Sequence, residues 1–218
     1  MALASLPYRF SQEASGIEML ADLRRGVQIA RREASRHDVD IDTWFLWGIS
    51  AGGHLASLIA HRLNDPEVLA LAPAASDPSP IPAPAAVAPW CGVFDLAYYR
   101  SLEGVGDELR ETVTEIEHGL TGGTDAERSA LSPLCYAGSQ SPPHLFVHGR
   151  EDPLVPAAQS VRMHQALRGV GVRSELLVVP DRDHAMPPGD SPELHRTIDF
   201  LLSCTRSQRS AAGGETER

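Results

Sequence analysis

The run Trp47-Gly48-Ile49-Ser50-Ala51-Gly52-Gly53-His54 holds the residues best suited to chemistry in this sequence. It contains a Gly-x-Ser-x-Gly pattern between a segment that reads as a strand and one that reads as a helix. A serine on such a tight turn is held in a strained backbone and pushed out above a sheet. The flanking glycines are expected because side chains there would collide with the neighbouring strand and helix. The hydroxyl then sits near a helix N-terminus, where amide donors and the helix dipole favour a developing negative charge. The amide of Ala51 is the natural first donor to such an oxyanion. The chemistry implied is attack on an acyl carbon. The plainer alternative is a glycine-rich turn with a capping serine, and the strand before and helix after weigh against it.

A serine hydroxyl is a poor nucleophile until a base takes its proton. Nine histidines are present. His184 follows a predicted strand, and loops at the carboxyl ends of parallel strands are where such sheets place their chemistry. His54 lies inside the helix that Ser50 would begin, and cannot easily turn back to it. His195 falls within the last predicted helix and reads as a surface or packing residue. His144 and His148 flank a strand, about 13 Å apart at strand spacing, too far to share a metal. The base in turn needs a carboxylate to fix its tautomer and stabilise the imidazolium. Asp152 supplies one on another post-strand loop, with Glu151 the nearest rival. Asp181 and Asp183 read as a solvated turn. The chain order Ser50, Asp152, His184 is one that a serine-based acyl-transfer site can take.

The elements that must position these groups are legible in the hydrophobic periodicity. Ile17, Leu20, Leu23, Val27, Ala30 and Ala34 recur every three or four residues, which predicts a helix over Gly16–Arg36 with one buried face. Ser15 and Glu18 form a capping box at its start. Arg24, Arg25, Arg31 and Arg32 are placed on its solvated side. Thr43–Trp47 reads as a buried strand and Gly52–Asn64 as a second helix. Residues 65–84 carry six prolines and read as a connection. Strands are expected at Ala85–Trp90, Leu145–Val147 and Leu176–Val179, and helices at 157–168 and 192–203. Residues 93–132 are mixed and are expected to form a small cap over a pocket. Its aromatic residues Phe94, Tyr98 and Tyr99, together with Trp90, are candidates to contact a substrate, the alternative being that they are core. Residues 1–204 make one domain, and the polar tail 205–218 is expected to be disordered. Alternating strands and helices imply parallel βα units, hence a three-layer α/β sandwich with a mostly parallel sheet.

Composition narrows the function. The formal net charge of -10 argues against a nucleic-acid partner, which would need clustered Lys and Arg. No apolar run approaches the roughly 20 residues of a membrane span. The N-terminus lacks a basic and apolar leader. The cysteines, Cys91, Cys135 and Cys204, are odd in number and scattered, which fits a reducing, cytoplasmic compartment and no disulfide framework. No cofactor or metal is implied.

With these residues assembled, the sequence resembles the esterase branch of the α/β-hydrolases. That branch includes hormone-sensitive-lipase-like carboxylesterases, feruloyl and acetylxylan esterases, and kynurenine formamidase. The resemblance rests on Gly48-Ile49-Ser50-Ala51-Gly52-Gly53-His54, Gly92-Val93-Phe94-Asp95-Leu96, Ser132-Pro133-Leu134, His148-Gly149 with Asp152-Pro153-Leu154-Val155-Pro156, and Asp183-His184. Tyr8-Arg9-Phe10 resembles the segment that closes the fourth strand in that family. The resemblance therefore implies an N-terminally shortened fold, without the first three strands and the His-Gly-Gly-Gly-type loop that supplies further oxyanion donors. Losing one such donor costs on the order of 10²–10³ in rate. The strand before Ser50 should then either pair with a short strand near residues 2–7 or present an open edge. A homodimer through that edge, a rearranged N-terminus or a misassigned start codon are the expected consequences.

The implied activity is hydrolysis of a carboxylic ester of a small molecule through an acyl-enzyme, with Ser50, His184 and Asp152 as the triad. The alternatives are a non-catalytic binding or partner subunit that keeps the triad as scaffolding, or amide, thioester or acyl-transfer chemistry at the same residues.

Overall fold

A reciprocal capping box starts the first helix. The Glu18 amide donates to Ser15 Oγ at 3.5 Å, and the Ser15 amide donates to Glu18 Oε2 at 2.8 Å. Helix α1 accordingly spans Gly16–Arg36, as the sequence predicts. The computed structural model describes residues 2–71, 77–101, 107–184 and 189–213. Within them follow β1 (Phe45–Ile49), α2 (Ala51–Arg62), α3 (Pro66–Ala70), β2 (Ala86–Trp90), α4 (Leu96–Arg100), α5 (Asp107–Thr121) and α6 (Asp125–Ala130). A 3-10 turn at Pro133–Tyr136, β3 (His144–Gly149), α7 (Ala158–Gly169), β4 (Ser174–Val179) and α8 (Pro192–Gly213) complete the order.

The four strands form one sheet in the order β1-β2-β3-β4, and every pairing is parallel. Side chains alternate across it, as the period of a strand requires. Leu46, Val87 and Phe146 face α2 and α7, while Ala88, Trp90, Leu145 and Val147 face Phe200 and Leu201 of α8. This is a three-layer sandwich with helices on both faces of a parallel sheet, the α/β-hydrolase arrangement expected from the sequence. No helix among the described residues is long and apolar enough to cross a membrane.

Three local expectations meet a different outcome, and one that was open between two alternatives is decided. Arg24 is not solvated: it is buried, with its guanidinium donating to the carbonyls of Leu63 (2.9 Å), Asp77 (3.3 Å) and Ser79 (3.0 Å). Its position, four residues after Leu20 and three before Val27, puts it on the flank of the buried stripe, and the three carbonyls compensate the charge. The proline-rich connection contains a short helix, α3, because Asp65 caps it and Pro66 occupies its first turn. Residues 2–10 form no strand, and Tyr8–Phe10 joins no ladder; Arg9 instead binds Asp22 on α1 at 2.9 Å. Of the two outcomes expected for the strand before Ser50, the open edge is the one seen: among the described residues, β1 pairs only with β2. Helix α8 also continues through Gly213, past the polar boundary at Thr205. No proline interrupts 205–213. Residues 214–218 of the expected tail, 102–106 of the expected cap and 72–76 of the connection lie outside the described residues.

Buried polar groups give two expected outcomes. Replacing Arg24 by Met leaves three carbonyls without their donor and should lower stability by about 3 kcal/mol, read from the urea midpoint. His144 is fully buried, and burial, with the neighbouring His61 second, pushes its pKa down to about 3. The unfolded chain therefore binds a proton that the folded chain refuses. Stability is full above the usual imidazole pKa of 6.5 and falls as the pH drops from there toward about 3. His144→Phe should flatten that decline in urea titrations run across the same pH window.

Candidate active site

Ser50 closes β1 and opens α2 in a conformation that an L-residue rarely adopts, with φ 55° and ψ −121°. Such a backbone costs of order 1–3 kcal/mol and must be held by its surroundings. The Ser50 amide donates to the carbonyl of Trp90 at 2.8 Å, which fixes the turn to the end of β2. Gly48 is obligatory, since a Cβ there would overlap the Gly52 carbonyl. Gly53 is equally constrained, because its Cβ would lie 2.9 Å from the Trp90 carbonyl oxygen. Gly52, the last glycine of the sequence pattern, has open space where a Cβ would stand, with nothing within 4 Å. The steric requirement thus falls on the glycine after the pattern, where α2 crosses β2. The Ser50 amide is spent on Trp90, whereas Ala51, exposed at the first position of α2, carries an amide with no preceding helical turn to accept from it.

The three side chains singled out in the sequence converge. His184 Nε2 lies 2.8 Å from Ser50 Oγ, and His184 Nδ1 lies 2.8 Å from Asp152 Oδ2. They come from the ends of β1, β3 and β4, neighbouring one rim of the parallel sheet. The loop bearing His184 is pressed onto Gly149, where a Cβ would overlap the carbonyl oxygens of Arg182 and Asp183. The Glu151 amide donates to the Arg182 carbonyl at 2.9 Å, tying the acid loop to the base loop. Glu151, the rival acid, is exposed, whereas Asp152 is buried.

The Asp152 carboxylate is saturated with donors. Oδ1 accepts from the amides of Leu154 at 3.0 Å and Val155 at 2.8 Å. Oδ2 faces His184, and His148 Nε2 stands 3.2 Å from it. Burial alone would raise the pKa of this carboxyl; the hydrogen bonds from His148, His184 and Val155 outweigh it and hold the group well below the usual carboxylate range. Asp152 is thus anionic throughout the neutral pH range. Cys91 lies beside it at the end of β2, with a ligand atom within 4.8 Å of those of Asp152 and His184. These three could hold a metal by distance. Burial keeps the thiol protonated, pushing its pKa up to about 11, and Asp152 and His184 are engaged with each other.

The remaining candidates divide. Trp90 and Phe94, considered for substrate contact, belong to the core: Trp90 is packed edge-on against Trp47 with its Nε1 donating to Thr197, and Phe94 stacks edge-on against Phe146. Alternation along β2 sends Trp90 to the α8 face, and the chain turns inward at Phe94 to cover α7. Tyr98 and Tyr99 are partly exposed on α4. The Tyr99 hydroxyl donates to the Leu154 carbonyl at 2.7 Å, two residues beyond Asp152, and Arg162 lies over the Tyr98 ring at 4.5 Å. His54 is buried, its Nδ1 2.8 Å from the Val93 carbonyl, and His195 pairs with Asp190 at the surface. His148 and its partner Ser160 were not apparent as site residues from the sequence. The signal available was the four-residue spacing from His148 to Asp152 across a tight turn.

A serine on a strained turn after the first strand of a parallel sheet, with an acid and a histidine on later post-strand loops, defines an α/β-hydrolase. The chain belongs to the BD-FAE family, whose model matches residues 1–167. It is 31% identical over 186 residues to Esterase LipQ of Mycobacterium tuberculosis, a match covering 83% of this chain and 42% of that protein. To Esterase LipC of the same organism it is 27% identical over 216 residues, covering 95% of this chain and 52% of that protein. The chain therefore spans about half the length of the curated relatives it matches. Among solved structures, a truncated carbohydrate esterase from gut microbiota superposes with a TM-score of 0.71 at 21% identity, over 93% of this chain and 73% of that one. A propionate-bound esterase of Thermogutta terrifontis superposes with a TM-score of 0.65 at 25% identity, over 90% of this chain and 68% of that one.

Gly149 tests how tightly His184 is placed. A methyl group there must displace the Arg182–Asp183 backbone and with it His184. Gly149→Ala should shift the ¹⁵N resonances of the His184 ring while the far-UV circular dichroism stays that of the parent.

Proposed function

We propose that this chain hydrolyses carboxylic esters of small molecules through a covalent acyl-serine. The observation that carries the reading is the unbroken pair of hydrogen bonds, each 2.8 Å, from Ser50 Oγ to His184 Nε2 and from His184 Nδ1 to Asp152 Oδ2. His184 Nδ1–H donates to the anionic Asp152, which leaves Nε2 as the acceptor facing the hydroxyl. As Ser50 Oγ attacks the ester carbonyl carbon, its proton passes to Nε2, and the imidazolium is stabilised by the carboxylate. The carbonyl oxygen, now an oxyanion, takes the Ala51 amide at the start of α2. Collapse of the tetrahedral intermediate expels the alcohol, which leaves with the proton from Nε2. Water then enters, gives its proton to Nε2 and attacks the acyl carbon, releasing the acid and restoring Ser50.

A short acyl group suits this reading best. The similar Thermogutta terrifontis esterase has been solved with propionate and with butyrate bound. On this chain, Tyr99 is the candidate side chain beside the acyl group, since its hydroxyl is anchored to the loop that carries Asp152. The Thermogutta enzyme has also been solved phosphonylated by cyclosarin, which supports an organophosphorus probe as the first test.

Incubation with a fluorophosphonate should label the wild-type chain and leave Ser50→Ala unlabelled. On p-nitrophenyl acetate, propionate and butyrate, Ser50→Ala should lose on the order of 10⁶ in kcat, and Asp152→Asn about 10⁴. Folded wild-type protein that neither takes the probe nor turns over any of these esters would assign the chain a non-catalytic role instead.

A further inference from the structure

His148 is the buried titratable group that the mechanism above leaves without a task. It sits in β3, one residue before Gly149, fully buried. Its Nδ1 lies 2.7 Å from Ser160 Oγ on α7. Its Nε2 lies 2.7 Å from the Val155 carbonyl oxygen and 3.2 Å from Asp152 Oδ2. Val155 is also the residue whose amide donates to Asp152 Oδ1, at 2.8 Å. One ring therefore bridges the strand, the acid loop and helix α7, and touches the carboxylate oxygen that His184 uses.

The hydrogen positions follow from the partners. A carbonyl oxygen and an ionised carboxylate can only accept, so Nε2 must carry hydrogen. In the neutral ring Nδ1 is then an acceptor, and the Ser160 hydroxyl, able to donate, supplies its hydrogen. The Nε2–H is shared between Val155 O and Asp152 Oδ2. It pins the turn from Asp152 to Val155 and withdraws part of the negative charge that His184 would otherwise receive.

We propose that His148 is a positioning residue for the acid of this site: it holds Asp152 Oδ2 toward His184 and sets how strongly that carboxylate binds the imidazolium. It acts through Asp152 and touches no reacting atom. The inference rests on the ester-hydrolase reading above. The titratable groups facing Asp152 are His148 from β3, His184 from the loop after β4, Cys91 from the end of β2 and Tyr99 from α4. Of the four, His148 alone combines full burial with a fixed N–H donor aimed at the carboxylate oxygen that His184 uses.

The sign of the effect is fixed. Without the His148 donor, Asp152 is a more basic carboxylate and binds the protonated form of His184 more strongly. The acid limb of the kcat/KM profile should then move to higher pH, by about half a unit or more. Loss of orientation should cost about 10- to 100-fold in kcat with little change in KM. His148→Leu removes the donor and keeps the bulk; His148→Gln keeps an N–H near the position of Nε2. Rates per active site, titrated with fluorophosphonate on p-nitrophenyl acetate, should fall in His148→Leu with the acid limb displaced, and recover most of the loss in His148→Gln. Ser160→Ala, which frees Nδ1, should move kcat and the acid limb in the same direction by less, and serves if His148→Leu does not fold. A purely structural role would lower stability and the titre of active sites but leave the per-site kcat and the acid limb in place, and that result overturns the proposal. Imidazole ¹⁵N spectra of the wild-type protein give a test that needs no activity. Nitrogen Nε2 of His148 must be protonated at neutral pH, and a bare Nε2 overturns the assignment. Should the wild-type chain neither hydrolyse nor take the probe, the ester-hydrolase reading fails by itself, while the spectra still decide whether His148 donates to Asp152.

Discussion

The hydrogen bond from the Ser50 amide to the Trp90 carbonyl, 2.8 Å long, joins the turn after β1 to the end of β2. It is one rung beyond the parallel ladder that pairs Ile49 with Trp90. Because the ladder continues into the turn, Ser50 cannot relax from its positive φ without breaking a sheet hydrogen bond. The same closeness leaves no room for a side chain at Gly53, and the tightness of the turn itself leaves none at Gly48. The strain at the serine is thus held by the sheet, and the hydroxyl is presented at a fixed height above it.

The same parallel register carries the acid and the base to that height. Strands β3 and β4 pair residue for residue from His144–Ser174 to Gly149–Val179, so their carboxyl ends finish side by side. The Arg150 amide extends this ladder by donating to the Val179 carbonyl at 2.9 Å, and the Glu151 amide bonds the Arg182 carbonyl beyond it. The two loops that leave the rim are therefore fastened to each other before Asp152 and His184 meet. Hydrogen bonds between long, flexible side chains would lose much of their strength to conformational entropy; here both partners stand on short, tethered segments.

Burial gives the site its electrostatic character. Asp152 lies under the loop it belongs to, yet remains charged because two amides and two imidazoles donate to it. Removing a carboxylate from water is costly unless its lone pairs are filled, and here they are. Cys91 and Tyr99, beside the same carboxylate, are both pushed upward by burial, to about 11 and about 12, and stay neutral. Of these three groups Asp152 alone is charged, and it faces the partly exposed imidazole of His184.

The sequence by itself determined the helices and strands around the site, and singled out Ser50, Asp152 and His184, whose side chains the structure brings within hydrogen-bond reach of one another. These were legible because their causes are local: the capping box of Ser15 and Glu18, the three-and-four spacing of Leu20, Leu23 and Val27, and the strand-turn-helix grammar around Ser50. Tertiary structure alone decided which polar side chains are buried and which aromatics are core. Arg24 is buried because the carbonyls of Leu63, Asp77 and Ser79 arrive from segments 39 to 55 residues away. Trp90 and Phe94 were assigned to the core by the helices packed over them, which a strand's alternation does not identify in advance. His148 became visible only when Asp152 folded back over the end of its strand and Ser160 came up from α7. Periodicity and motifs report what a residue does among its neighbours in sequence; a hydrogen bond between distant segments exists only once the sheet has brought their backbones together.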